Sequence, residues 1–209
     1  MDLDFGAGGA ALLADLPAGS PITHLLMCGG KDGALYVLNR DLLGGYDDTH
    51  AVQKITGSRI FATGAFWNNK FYLAGIGAPL RAYQLTPSIP QFNLSSSSSH
   101  QFAFPGSTPS VSAAATQNGI VWALDTSQYC TSHSPGCGPA VLYAYDATNL
   151  ATELWNSSKV AADAAGFAVK FAVPTIANGK VYVGTRGNNK GVLGATSISG
   201  ELDIYGLKP

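Results

Sequence analysis

Short runs of strand-forming residues recur along the whole chain, each bounded by Gly, Asn, Pro or Ser. That pattern predicts strands joined by turns. No segment sustains a helical period. Ala161 to Ala168 comes nearest, and Gly166 interrupts it after about one turn.

The runs repeat. Trp67-Asn68-Asn69-Lys70-Phe71-Tyr72-Leu73 aligns with Ala177-Asn178-Gly179-Lys180-Val181-Tyr182-Val183 and with Gln117-Asn118-Gly119-Ile120-Val121-Trp122-Ala123. Each reads as an Asn-containing tight turn followed by a strand, because Asn-Gly accepts positive φ at both central positions of a two-residue hairpin. A weaker copy is His24-Leu25-Leu26-Met27-Cys28-Gly29. A second run follows each copy and begins at Leu35, Leu80, Leu142 and Leu202. A third follows twice, at Phe92-Asn93-Leu94-Ser95 and Trp155-Asn156-Ser157-Ser158. Another strand precedes the Asn turns, as in Thr108 to Ala113 and Phe171 to Ala177. Four short antiparallel strands in a unit of about 45 residues describe a propeller blade, with longer units carrying loop insertions.

The predicted fold is therefore all-β: one propeller segment over 1–209, with blades at about 5–56, 57–98, 99–162 and 163–209. The last blade stops after its third strand, so the ring is expected to be incomplete and the chain a C-terminal piece of a longer propeller.

Composition narrows the function classes. Charged residues make up 12% of the 209 and net charge is −1. That is about half the usual charged fraction, and it argues against a nucleic-acid or anionic-membrane surface. No apolar run reaches the length of a membrane span, and the first residues do not form a signal peptide. Cys130 and Cys137 flank a turn-rich segment. Three chemistries fit that spacing: a small disulfide ring, free buried thiols, or metal ligation with His133. A disulfide implies a periplasmic or extracellular protein whose export signal is not in this sequence.

Val181-Tyr182-Val183-Gly184-Thr185, and Ala144-Tyr145-Asp146-Ala147-Thr148 with Trp155, resemble the two halves of the PQQ-like β-propeller repeat of the quinoprotein alcohol dehydrogenase-like superfamily. Thr148-Asn149 stands where that repeat has Thr-Gly, and Asn accepts the positive φ such a turn uses. The resemblance implies structural roles for Asp146 and for Trp155, the latter packing between blades. It also raises an enzymatic alternative, the C-terminal part of a PQQ- and Ca²⁺-dependent alcohol or sugar dehydrogenase. No Cys-Cys pair and no matching catalytic Asp supports it, and fold likeness alone confers no activity.

The long segments Asp125 to Pro139 and Arg186 to Gly200, with the serine run Ser95 to Ser99 and His100, are expected as loops and links on one face. Function concentrates on such loops. The expected function is a non-catalytic binding or scaffold module, without cofactor or metal, that takes a protein or small molecule on this face. His100, His133, Arg186 and Asn188 are the candidate binding residues, and no catalytic residue is assigned. Open blade edges are a possible template for association between chains.

Overall fold

The computed structural model describes residues 3–130, 137–186 and 200–206. Their strands form four antiparallel sheets, each a meander in chain order. Sheet I contains β1 (Ala11–Leu12), β2 (Leu25–Gly29), β3 (Ala34–Asn39) and β4 (Gln53–Thr56). Sheet II contains β5 (Ala65–Trp67), β6 (Lys70–Leu73), β7 (Ala78–Thr86) and β8 (Gln91–Phe102). Sheet III contains β9 (Ser110–Ala114), β10 (Gln117–Asp125), β11 (Val141–Asp146) and β12 (Glu153–Asn156). Sheet IV contains β13 (Thr175–Ala177), β14 (Lys180–Thr185) and β15 (Glu201–Tyr205).

Successive sheets pack face to face. Side chains alternate between the two faces of a strand, so an inner sheet buries both. Phe71 and Leu73 of β6 join Leu25, Met27 and Val37 of sheet I. Tyr72, between them, joins Val121, Ala123 and Tyr145 of sheet III. Leu124 and Leu142 of sheet III meet Val181 and Val183 of sheet IV. Two-sided burial explains why these strands are continuously apolar. Neighbouring sheets come closest at their first strands, where β5 lies beside β9 and β9 beside β13. Side-chain hydroxyls tie this region together: Thr63 Oγ1 accepts the Gly9 N–H, Thr108 Oγ1 accepts the Thr63 N–H, and Ser110 Oγ donates to the Pro174 carbonyl. No closed ring forms among the described residues.

The turns explain the strand boundaries. Asn68 and Asn69 lie at φ +47° and +58°, and Asn178 and Gly179 at +50° and +69°. These are two-residue hairpins with positive φ at both positions, as in a type I′ turn. Sheet III departs from the expected pattern. Its β9–β10 reversal falls at Ala115-Thr116, with Ala115 at φ +53°, and not at Asn118-Gly119. Asn118, at φ +54°, sits inside β10 where the register shifts. Gly119 is needed there because a Cβ would stand 2.5 Å from the Trp67 ring.

Two further expectations are corrected. The serine run is strand, not a link: β8 continues to Phe102, past the blade boundary expected at 98. The β7–β8 ladder shifts register twice, and hydroxyls supply partners around the shifts. Ser95 Oγ donates to the Ala82 carbonyl, and Ser98 Oγ accepts the Leu80 N–H. Asn149 is not among the residues with positive φ. The turn after β11 is instead built by Asp146, whose Oδ1 accepts both the N–H and the hydroxyl of Thr148 at 2.7 Å.

Candidate functional site

Among the described residues, one end of the sheets carries the loops between second and third strands, together with the links from sheet to sheet; most of the predicted loop Arg186 to Gly200 and the middle of Asp125 to Pro139 lie outside the described residues. Backbone hydrogen bonds stitch these segments to one another. Gly57 N–H donates to Gly33 O, Ile76 N–H to Arg59 O, Ser107 N–H to Ala74 O, and Ala140 N–H to Gly166 O. The face is a bonded surface rather than a set of separate loops.

Aromatic side chains run across it. Phe61, on the link before β5, meets Phe104, on the link before β9, with ring centroids 5.4 Å apart and planes at 79°. Phe104 meets Tyr129 of the β10–β11 segment at 6.1 Å and 63°. It also meets Phe171, on the link before β13, at 6.4 Å and 79°. A cation stands at each end of the row. The Lys31 ammonium lies 5.4 Å from the Phe61 ring and pairs with Asp4 at 2.6 Å. The Lys170 ammonium lies 4.9 Å from Tyr129, 5.9 Å from Phe104 and 6.0 Å from Phe171. Phe171 is 54% exposed and sits at φ +65°. A bulky non-glycine residue at positive φ is a genuine backbone outlier.

Of the four candidate binding residues, His133 and Asn188 lie outside the described residues. Arg186 directly follows β14. Its N–H donates to the Phe167 carbonyl, and its guanidinium lies 3.9 Å from Cys137 Sγ. Cys130 and Cys137 form a disulfide with their Cα atoms 4.7 Å apart.

His100 lies in the joint between sheets II and III. Its Nε2 is 2.8 Å from Asp125 Oδ2, its Nδ1 is 3.3 Å from the Tyr143 hydroxyl, and its ring stacks on Tyr143 at 4.4 Å. Nε2 faces the Asp125 carboxylate, and Nδ1 lies beside the Tyr143 hydroxyl. Burial pushes the Tyr143 phenol up to about 12. With both ring nitrogens and one ring face engaged, His100 is a clamp between sheets. Trp155 lies between sheets III and IV, edge-on to Tyr205 at 5.5 Å.

Among the described residues no group of three His, Cys, Asp or Glu side chains is placed to hold a metal, and no helix is long and apolar enough to cross a membrane. An open groove of about 1020 Å³ lies between sheets III and IV on the hairpin side, lined by Trp122, Trp155, Ile176, Ile204 and Tyr205.

The aromatic row escaped the sequence reading, although a signal for it exists. Phe61, Phe104 and Phe171 each stand a few positions before the threonine that precedes or begins a first strand: Thr63, Thr108 and Thr175. The strands drew the alignment, and links vary in length, so this recurrence fell outside it. No protein-family model matches the chain, and no curated protein matches it.

Proposed function

We propose that the chain is an array of PQQ-like propeller blades from an exported protein, acting as a non-catalytic binding module through its loop face. The observation that carries this reading is Phe171. An exposed aromatic ring is held at a backbone conformation that disfavours it, and such strain gathers at ligand clamps and active sites. The row from Phe61 to Phe171 offers apolar contact area, and Lys170 gives its Phe171 end a positive charge. The Cys130–Cys137 disulfide supports an oxidising compartment. The sheet order and the convergence of first strands support the blade reading.

The dehydrogenase alternative needs oxygen ligands for Ca²⁺. Among the described residues no group of three His, Cys, Asp or Glu is placed to supply them.

A fragment library screened by NMR tests the binding face. Hits are expected to shift the resonances of Phe104, Tyr129 and Phe171, and Phe171→Ala should weaken them about tenfold, a loss equivalent to one aromatic contact. Hits confined to the groove between sheets III and IV would overturn the assignment.

A further inference from the structure

We propose that Phe104, Tyr129 and Phe171 form a cage for a quaternary ammonium group, with the Lys170 ammonium as its built-in occupant. The inference rests on the loop face being a binding surface and names the ligand class that face takes.

Ring geometry separates a cage from a platform. Sugars and nucleobases stack on flat, exposed rings. Here Phe104 stands at 63° to Tyr129 and at 79° to Phe171, so the three rings form walls rather than a floor. Walls of this kind turn several electron-rich faces toward one point, and a cation is what those faces attract. The Lys170 ammonium marks the point, within 6.0 Å of all three centroids. None of the ion pairs among the described residues involves Lys170. The rings are its visible partners.

Lys170 is a replaceable occupant, because the residue is exposed. An ammonium with three protons keeps much of its hydration and satisfies it poorly against hydrocarbon rings. A quaternary ammonium has no N–H to satisfy, carries the same charge, and covers more ring surface. The tethered lysine competes with it at an effective concentration in the millimolar range. The intact protein should therefore bind a free quaternary ammonium weakly, and removal of the lysine side chain should strengthen binding. Phe171 completes the cage: its positive φ turns the ring at the rim, where a more relaxed backbone would redirect it.

Choline is the probe, titrated by calorimetry and by NMR of the ring resonances at constant ionic strength. The comparison ligand is the uncharged carbon isostere of choline. Lys170→Ala is expected to bind choline saturably and about tenfold more tightly than the unsubstituted protein, the gain from removing a tethered competitor. The isostere should bind at least about tenfold more weakly than choline, reflecting the loss of cation–π attraction. Phe171→Ala added to Lys170→Ala should abolish saturation. The proposal is overturned if folded Lys170→Ala does not take up choline, if the uncharged isostere binds equally well, or if Phe171→Ala leaves binding intact. Fragment hits on these rings without choline uptake would overturn the cage alone and leave the binding face standing. Circular dichroism of each variant separates lost binding from lost fold.

Discussion

Phe171 shows how one residue can be set against its own backbone. A non-glycine residue in a sparsely populated φ region costs roughly 1–3 kcal/mol, and an exposed ring recovers only part of that through burial. Asn tolerates the same φ because its short polar side chain bonds locally. Phe171→Asn should therefore raise stability by about 1 kcal/mol, seen as a rise in melting temperature of about 2–4 °C for a domain of this size. A fall in melting temperature would show that ring packing outweighs strain. The residue would then be structural, and the case for the loop face as a binding surface would lose its main support. Phe61, Phe104 and Phe171 were each readable as aromatic residues in links. Their convergence was not, because Phe61 and Phe171 are brought together through Phe104 only when three sheets are stacked.

At the scale of elements, the joints between sheets rest on side chains that reach past their own sheet. Tyr72 of β6 donates its hydroxyl to the Ala147 carbonyl at 2.9 Å, and Lys70 Nζ donates to the Thr148 carbonyl at 2.6 Å. Both acceptors belong to the turn that Asp146 builds after β11, so that turn serves as a socket for sheet II. Burial raises the Tyr72 phenol well above its ordinary value, keeping it a donor. Tyr72→Phe removes the donor and leaves the Ala147 carbonyl buried and unpaired. It should cost about 1–3 kcal/mol, measured by urea unfolding. No loss would mean that packing alone holds this joint. The repeat is visible here as well. Leu80 N–H donates to Ser98 Oγ in sheet II and Leu142 N–H to Ser157 Oγ in sheet III, both at 3.0 Å. These leucines begin the runs that aligned in sequence. Ser98 lies on β8, inside the serine run, and Ser157 directly follows β12, so the two serines do not stand out as a match in sequence.

Across the whole molecule, the acid limb of stability follows from carboxylates held ionised. Asp146 lies below the ordinary carboxylate range because the Thr148 hydroxyl and N–H bond to its charged form. Glu153 lies below it chiefly through Lys159, with help from Asn156. A carboxylate with a lowered folded value contributes stability that is fully present above its unfolded value, near pH 4. That stability is lost as pH falls through the folded value. Unfolding monitored from pH 7 to pH 2 should show stability falling below about pH 4. Asp146→Asn should flatten that fall. An unchanged acid limb in the variant would show that the turn does not govern it.

The sequence alone determined the local order of this protein. The Asn turns at 68–69 and 178–179, the apolar runs and the absence of a helical period decide most strands and that neighbours pair antiparallel, whereas Asn118-Gly119 lies inside β10. These signals act within a few residues, through φ preference and side-chain alternation. Spacing left Cys130 and Cys137 among several chemistries, and only the fold settled them as a disulfide. Tertiary structure also decided that the serine run is strand, because Ser95 and Ser98 find backbone partners on β7 and Ser96 accepts the Leu150 N–H of sheet III. It decided that His100 is a clamp, because Asp125 and Tyr143 come from another sheet. And it decided that Lys170 lies among three rings, because those rings are carried by segments that meet only when the sheets pack face to face.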